Sequence, residues 1–333
     1  MKNLSDKPNT VFAPTNIAFL KYWGKSDPKK QWPSNSSISM TLNELGSTTS
    51  AQICDGDHRF RLNDVDFGAD NSKGQKVFQH IERIQKHFKT NFCFDIQSYN
   101  NFPTGSGIAS SASGMAALTL AVARAITNAK DLSELLELVG GQQIAHWMIQ
   151  GSGSAGRSLY GGYVEWIRGV SAEDMRVEVY QPESHWVLHD LIVLFSEDEK
   201  TISSSEAHLA AQKSLLFAPR IAGVEQRMNA MKGAISERDI HKLGPLLEAE
   251  CLEMHAVMMT ADPAVSYFGQ PSAQFLCDLR EFRNQTQCGV YFTIDAGANI
   301  HAICDPQSRD QFVDWLGSRK FIEDTTGKGP RFL

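Results

Sequence analysis

The sequence lacks the features that define several large classes of protein. Its six cysteines form no CxxC pair, and no compact Cys/His cluster has the spacing that binds zinc. No segment approaches the roughly 20 apolar residues that span a bilayer, and residues 1–10 are polar, unlike a secretory signal. We therefore expect a cytoplasmic protein that has reduced, buried cysteines and does not bind a membrane.

Positive charge is also scarce. The 32 Lys and Arg residues are outnumbered by 38 Asp and Glu residues, which gives a formal net charge of -6. A field of this sign repels nucleic acid, so we expect no such partner, and an anionic substrate needs a local basic pocket. With 333 residues, of which 42% are hydrophobic, the chain can bury a sizeable core. The composition indicates a globular protein of two ordinary domains or one elaborate one.

Residue patterns predict an α+β protein in two layers. The predicted strands are 11–20, 37–42, 92–98, 163–167, 187–195, 290–294 and 301–304, with a hairpin that joins 48–53 to 58–62. Apolar residues at helical spacing predict the helices 75–89, 112–128, 131–139, 143–150, 205–231 and 237–259. We place a domain boundary in the polar stretch 181–184, which divides the chain into domains 1–183 and 184–333.

A Gly- and Ser-rich segment, 100–117, leads into the helix predicted over 112–128. Unpaired N–H groups and the helix dipole favour a phosphate at such a position. Ser106, Ser110 and Ser111 supply hydroxyls for phosphate oxygens or a magnesium ion, and Gly107 allows close approach of the backbone. An ordinary Gly/Ser helix cap is the alternative interpretation.

Other common motifs fail on inspection. Gly24-Lys25-Ser26 lacks the opening glycine of a Walker motif. The segment 151–156 matches GxGxxG, but a predicted helix precedes it where a dinucleotide site requires a strand. Neither Ser-rich loop contains the GxSxG of a hydrolase. Walker, Rossmann and serine-hydrolase sites are therefore rejected.

Three further segments carry reactive side chains. Lys21, Tyr22 and Lys25 follow the first predicted strand and form a basic spot, unless this is only a solvated strand end. Arg157 stands among serines in GSGSAGRSLYGGYVEW, where a guanidinium suits a carboxylate or phosphate, with a structural ion pair as the alternative. Asp295 ends an apolar strand, where a turn-capping aspartate is the commoner meaning.

Together these segments resemble one family, the diphosphomevalonate decarboxylases of the GHMP kinase superfamily. The resemblance rests on NIAFLKYWGK with WPSNSSISMTL, NNFPTGSGIASSASGMAAL, GSGSAGRSLYGGYVEW and TIDAGAN, in this order over about 16–299. It implies a two-domain GHMP fold, with an N-terminal domain like ribosomal protein S5 domain 2 that binds ATP and a ferredoxin-like C-terminal domain. It also implies ATP-dependent conversion of mevalonate 5-diphosphate into isopentenyl diphosphate, ADP, phosphate and CO2, in a mevalonate pathway.

The resemblance also implies roles for single residues. Asp295 would orient or deprotonate the C3 hydroxyl, with Lys21 close to it. Arg157 would hold the substrate carboxylate, with Asn16 fixing its direction. The residues implied for the substrate diphosphate are Tyr22, Lys25, Ser152 and Ser154. The residues implied for ATP are Ser106, Gly107, Ser110 and Ser111, with Mg²⁺ held through the ATP phosphates and Ser111 as its candidate protein ligand.

The sequence departs from the family pattern at three places. Gly156 stands where the family has Cys, and Ala298 where it has Pro. Within 210–214, where several relatives place an arginine near the diphosphate, Lys213 is the candidate substitute. The alternatives are a GHMP kinase that phosphorylates mevalonate or a phosphomevalonate without decarboxylation, and a nucleotide-binding protein without turnover. Relatives are often homodimers, and we expect the same state here.

Overall fold

The structure is a computed structural model. It describes Leu4 and the ranges 6–102, 110–195 and 204–333, with side chains described from 206 onward in the last range. Its strands are β1 Thr10–Leu20, β2 Lys25–Asp27, β3 Trp32–Pro33, β4 Ser37–Cys54, β5 Arg59–Leu62, β6 Val65–Asp66, β7 Cys93–Asn100, β8 Tyr163–Ile167, β9 Arg176–Gln181, β10 His189–Val193, β11 Val290–Thr293, β12 Ile300–Cys304, β13 Phe321–Thr325 and β14 Arg331–Phe332. Its helices are α1 Ser72–Phe88, α2 Ser110–Thr127, α3 Leu132–Val139, α4 Gly141–Gly151, α5 Ser204–Ala210, α6 Phe217–Ala222, α7 Val224–Glu237, α8 Ile240–Met259, α9 Gln270–Thr286 and α10 Arg309–Leu316.

The first half of the chain builds a sheet covered by helices. The strand order is β14-β1-β4-β7-β5-β6, and β8 and β9 extend it from β4. Helix α2 is buried on most of its surface, because its alanines are small enough to pack between the sheet and helices α1 and α4. This core positions the start of α2 and the end of β1, which carry two of the predicted binding segments.

The predicted hairpin between 48–53 and 58–62 is wrong. Strand β7 lies between these segments and pairs with β4 along Ser47–Cys54, while β5 pairs with the other edge of β7 in parallel. The eight-residue ladder of β4 with β7 offers more hydrogen bonds than a ladder with the four-residue β5. The turn 55–57 therefore leads to a crossover rather than a hairpin.

The second half builds a separate antiparallel sheet in the order β11-β12-β10-β13. Phe275, Leu279 and Phe312 pack against apolar residues of these strands, so that α9 and α10 share a core with the sheet. Helix α8 starts at an N-cap, where the Asp239 side chain accepts hydrogen bonds from two N–H groups of the first turn. The mixed helix and sheet content confirms the α+β class.

The single helix predicted over 205–231 is wrong. The segment is divided into α5, a short 3-10 turn, α6 and the start of α7. Ser214 has an extended backbone, and Pro219 lies in the first turn of α6, where its missing N–H costs nothing. Because proline disrupts a helix interior, a break before Pro219 is favoured over one continuous helix.

The end of the chain returns to the first sheet. Val11 in β1 pairs with Phe332 in β14, and the Asp324 carboxylate accepts hydrogen bonds from the backbone N–H groups of residues 43–45 in β4. The two halves are therefore fastened together at the C-terminal end of the chain. The boundary after residue 183 stays a prediction.

The cysteines differ in part from expectation. All six are free, but only Cys251, Cys288 and Cys304 are buried, while Cys277 is exposed. The expectation that all are buried is therefore wrong. Across the described ranges, no helix has the length and apolar character needed to cross a bilayer.

Candidate active site

The end of β1 and the loop after β11 bring two charged side chains together. Lys21 directly follows β1, and Asp295 lies two residues beyond the end of β11. The distance from Lys21 Nζ to Asp295 Oδ1 is 2.5 Å. The Lys21 side chain is 2% exposed, whereas that of Asp295 is 24% exposed. A molecule in the site can therefore reach the carboxylate while its ammonium partner stays shielded from solvent.

The surroundings keep Asp295 ionised. Burial by itself raises the pKa of this carboxyl, but the charges of Lys21, His301 and Arg157, with the hydrogen bond from Lys21, hold the pKa below its ordinary value. The loop is closed behind it by a hydrogen bond from the Gly297 N–H to the Asp295 carbonyl, 2.7 Å. Asp295 is therefore a fixed carboxylate that can accept a proton or a hydrogen bond at neutral pH.

Arg157 is a buried cation held from one side. Its Nε donates to Asn16 Oδ1 at 3.3 Å, and its Nη1 donates to Ser37 Oγ at 2.6 Å. Asn16 is in turn fixed by a 2.9 Å hydrogen bond from its Nδ2 to Ser158 Oγ. Within the described part of the chain, no hydrogen bond of Arg157 Nη2 is found. The guanidinium therefore has donor capacity left for an anionic ligand.

The charge of Arg157 is retained despite its burial. Loss of hydration lowers the pKa of the guanidinium to about 10, although Asp295 and Tyr22 act in the opposite direction. The group is still protonated at neutral pH. Its 2% exposure makes its interaction with an anion stronger than that of a surface arginine.

Tyr22 presents a hydroxyl beside the backbone of Gly153. The phenol oxygen is buried and has no hydrogen-bond partner among the residues that the structure describes, and burial raises the pKa of Tyr22, so the group is a neutral donor. A Cβ built on Gly153 would lie 2.5 Å from the Tyr22 ring and 3.0 Å from its hydroxyl. Only glycine at position 153 leaves room for the ring in this position.

The loop 21–25 is held by His208, a residue that the sequence analysis missed. Its ring lies 4.3 Å from the rings of both Tyr22 and Trp23, measured between centroids. Its Nδ1 accepts a 3.0 Å hydrogen bond from the Gly24 N–H. Burial, and then the charges of Lys25 and Arg220, lower the pKa of His208 to about 3, so the ring is neutral and carries its hydrogen on Nε2.

Lys25 completes the basic spot. It is buried, and burial together with the charge of Lys76 lowers its pKa. Its carbonyl accepts a hydrogen bond from Gln212 Nε2 at 2.5 Å. The loop after β1 is therefore shaped and partly buried, which excludes the solvated strand end considered as its alternative.

The Ser-rich segments also meet. The hydroxyl of Ser111, in the first turn of α2, lies 3.2 Å from that of Ser152, which precedes a 3-10 turn containing Ser154 and Arg157. The first turn of α2 holds no acidic residue, and Ser110 and Ser111 are accessible there. These features fit a bound phosphate. Ser106 and Gly107 lie outside the described residues.

Both halves of the chain are similar to known protein domains. Residues 13–177 match the model of the diphosphomevalonate decarboxylase-like N-terminal domain. Residues 190–329 match the model of the mevalonate 5-diphosphate decarboxylase C-terminal domain. This chain belongs to the diphosphomevalonate decarboxylase family. The two matched ranges lie on either side of the predicted domain boundary.

Individual family members agree with this assignment. The diphosphomevalonate decarboxylase of Candida albicans is 34% identical over 92% of this chain and 87% of its own length. The one from Bos taurus is 34% identical over 89% of this chain and 77% of its own length. The mevalonate diphosphate decarboxylase structure from Staphylococcus aureus has a TM-score of 0.86 at 27% identity and covers 96% of each chain. The predicted two-domain GHMP fold is confirmed.

A family structure with ligands is also similar to this chain. MDDEF, solved in complex with MVAPP, AMPPCP and magnesium, has a TM-score of 0.86 at 28% identity. The similarity covers 96% of this chain and 97% of that one. The chain therefore spans nearly the whole fold of a protein that was solved with MVAPP, AMPPCP and magnesium together.

The departures from the family pattern have different structural settings. A Cβ on Gly156 would lie 2.8 Å from Ile149 Cγ1 and 3.1 Å from Val177 Cγ2, so this glycine allows close core packing. Lys213 is 60% exposed and forms a 3.6 Å ion pair with Asp262. Lys213 is therefore a surface lysine, and its neighbour Gln212 contacts Lys25 instead.

Two more charged residues beneath the site were missed by sequence reasoning. Glu250 in α8 and Arg220 in α6 are buried, and both contact the backbone of Lys21. Nothing in the motif around Lys21 points to them, because they lie 229 and 199 residues away in the chain. A glutamate within an apolar helical pattern was the available signal.

Proposed function

We propose that this protein catalyses the ATP-dependent decarboxylation of mevalonate 5-diphosphate to isopentenyl diphosphate, with release of ADP, phosphate and CO2. The observation that carries the proposal is the contact of Lys21 with Asp295 beside the buried guanidinium of Arg157, whose charge acts on the same carboxylate. A 3-hydroxy acid requires a carboxylate that binds its hydroxyl group and a guanidinium that binds its carboxylate.

The first step transfers the terminal phosphoryl group of ATP to the C3 hydroxyl. The hydroxyl oxygen bonds to phosphorus as the bond to ADP breaks, and Asp295 accepts the hydroxyl proton. A carboxylate with a lowered pKa is a weak base, so its main contribution is to orient the alcohol. The ammonium of Lys21 offsets negative charge that develops during the transfer.

The second step breaks the C3–O bond. Phosphate leaves with the bonding electrons, and the bond between the carboxylate carbon and C2 breaks to release CO2. Its electron pair forms the double bond between C2 and C3. Arg157 holds the carboxylate in the orientation that this collapse requires, and Asn16 fixes the guanidinium through the 3.3 Å hydrogen bond.

The diphosphate of the substrate binds at the loop after β1. The Tyr22 hydroxyl, which has no hydrogen-bond partner within the described ranges, donates to it, and the buried Lys25 supplies charge. Ser152 and Ser154 contribute hydroxyls from the facing segment. A diphosphate supplies the acceptor oxygens that the buried Tyr22 hydroxyl needs.

ATP binds at the start of α2 through Ser106, Gly107, Ser110 and Ser111. The accessible hydroxyls and the absence of acidic residues from the first turn of α2 support this role. When bound with ATP, Mg²⁺ neutralises phosphate charge, with Ser111 as its candidate protein ligand. The division into domains 1–183 and 184–333, the homodimeric state and the cytoplasmic location are part of the same proposal.

The proposal is tested by measuring ADP and CO2 released from mevalonate, its 5-phosphate and its 5-diphosphate. We expect ADP and CO2 in equal amounts from the 5-diphosphate. ADP with a stable 3-phosphorylated product and no CO2 would instead identify a GHMP kinase. ATP binding without turnover of any of the three substrates would contradict both enzymatic functions.

A further inference from the structure

The backbone of Lys21 lies just beyond the last pair of the β1–β4 ladder, Leu20 with Ile38. Its peptide groups are instead bound by side chains. The Lys21 N–H donates to Glu250 Oε1 at 3.1 Å. The Lys21 carbonyl accepts from Asn35 Nδ2 at 2.9 Å and from Arg220 Nη2 at 3.2 Å. Three side chains therefore fix both polar backbone groups of one residue.

These side chains form a buried network. Arg220 Nη2 also donates to Glu250 Oε1, and both side chains are almost fully buried. Arg227 Nε forms a 2.9 Å ion pair with Glu250 Oε2, without the alignment of a hydrogen bond. Burying such charges is costly unless they are paired, so the ion pair holds the carboxylate in one place. The network joins α6, α7 and α8 beneath Lys21.

We propose that Glu250 and Arg220 are positioning residues that hold the Lys21 backbone so that its ammonium reaches Asp295. Lys21 and Asp295 come from opposite ends of the chain, and the side chain of Lys21 is a flexible four-carbon stem. Fixing its backbone reduces the freedom of the ammonium. A displacement of about 1 Å in such a contact can lower a rate 100-fold.

A second buried ion pair on the same helix supplies a matched control. Glu248 binds Arg283 at 2.5 Å and Arg280 at 3.3 Å, which joins α8 to α9. Arg283 also donates to the carbonyl of Val290 at 3.0 Å. Glu248→Gln therefore removes a buried carboxylate from α8 and leaves the contacts to Lys21 intact.

The direct test is a pH titration of the Asp295 carboxyl by 13C NMR in protein without ligands, with the resonance assigned from Asp295→Asn. Removing the negative charge at position 250 by itself lowers the pKa of Asp295, whereas displacing Lys21 raises it. A rise of about one pH unit in Glu250→Gln would therefore report movement of Lys21. Glu248→Gln should titrate as wild type.

A second variant keeps the proposal testable if Glu250→Gln does not fold. Thermal unfolding shows which variants are folded before the titration. Arg220→Lys keeps the charge against Glu250, but an ammonium lacks the planar fork that bridges the carboxylate and the Lys21 carbonyl. It should also raise the pKa of Asp295. If the pKa of Asp295 does not rise in the variants that fold, the proposal is overturned, and the network is only a structural ion pair.

The kinetic readout rests on the proposed function. Glu250→Gln and Arg220→Lys should lower kcat for ADP release about 10- to 100-fold while KM for ATP changes less than about twofold. A kcat equal to that of Glu248→Gln would also overturn the proposal. If the wild type shows no turnover, the proposed function fails, and the NMR titration still decides the positioning role.

Discussion

The ammonium of Lys21 contacts the carboxylate of Asp295 although 274 residues separate them in the chain. Each residue lies just beyond the end of a strand, one from the first sheet and one from the second. The pairing lowers the pKa of Asp295 against the opposing effect of its burial. The Asp295 carboxylate is thereby kept ionised at the junction of the two halves.

Replacement of Lys21 by Met should remove this stabilisation. Burial would then act on Asp295 with less opposition, and the pKa of its carboxyl would rise. Because the proposed mechanism uses the ionised form, the acidic limb of the kcat profile should move to higher pH, and kcat at neutral pH should fall about 100-fold. Lys30→Met, at an exposed lysine paired with Glu173, is the control. An acidic limb that stays in place would refute the electrostatic role of Lys21.

Replacement by alanine should have different effects at Gly153 and Gly156, two glycines close to Arg157 in the chain. In Gly153→Ala the new methyl group meets the Tyr22 ring at 2.5 Å, so Tyr22 must move, and KM for the diphosphate substrate should rise about tenfold. In Gly156→Ala the methyl group meets the side chains of Ile149 and Val177. That variant should lose about 1 to 3 kcal/mol of stability and keep its KM. If KM for the diphosphate substrate is the same in both variants, Tyr22 does not contribute to binding the diphosphate.

Arg157→Lys should damage substrate binding although it keeps a positive charge. A lysine cannot bond Asn16 and Ser37 and also present a fixed fork to a carboxylate. We expect kcat/KM for the substrate to fall about 100-fold, with KM for ATP unchanged. Arg176→Lys, at an exposed arginine paired with Glu178, should behave as wild type. A small decrease of kcat/KM in Arg157→Lys would mean that a positive charge at this position is enough to bind the substrate.

Acid should destabilise the fold through three buried histidines. Burial lowers the pKa of His80 and His208 to about 3 and that of His255 to about 4. The unfolded chain binds these protons near pH 6.5 and the folded chain does not, so stability is complete above that pH and falls below it. The combined loss approaches about 4 kcal/mol per pH unit below about pH 5.5.

Urea unfolding at several pH values measures this loss. His255→Phe should flatten the dependence by about a third, since one of three protons no longer contributes. His87→Gln, at an exposed histidine, should leave the dependence unchanged. If His255→Phe does not flatten it, protonation of His255 is not coupled to unfolding.

Sequence motifs located the residues around Lys21, Arg157 and Asp295 because each of these charged residues lies within a short continuous segment. Strands with a single buried face and the amphipathic helix α1 could be predicted from periodicity for the same reason. The prediction that Lys21 lies close to Asp295 also depended on the family resemblance, since no local sequence pattern connects the two segments.

Other features depend on contacts that a local pattern does not contain. The order of β5 and β7 is decided by competition between ladders, not by the turn at 55–57. His208 lies within a helix whose pattern gives no sign of the rings it contacts. Glutamate is usually found on the surface, and only its ion pairs with arginines that are distant in the chain make the burial of Glu250 possible.

Asp295→Asn tests the central claim most directly, with ADP, CO2 and the affinity for a non-hydrolysable ATP analogue measured on the same preparation. The substitution keeps the shape of the side chain and removes its ability to accept a proton. We predict that ADP and CO2 release fall together by about 1000-fold while the affinity for the analogue stays within about twofold. Asp310→Asn, at an exposed aspartate in α10, is the control and should behave as wild type. Release of ADP and CO2 from Asp295→Asn at near wild-type rates would contradict the account.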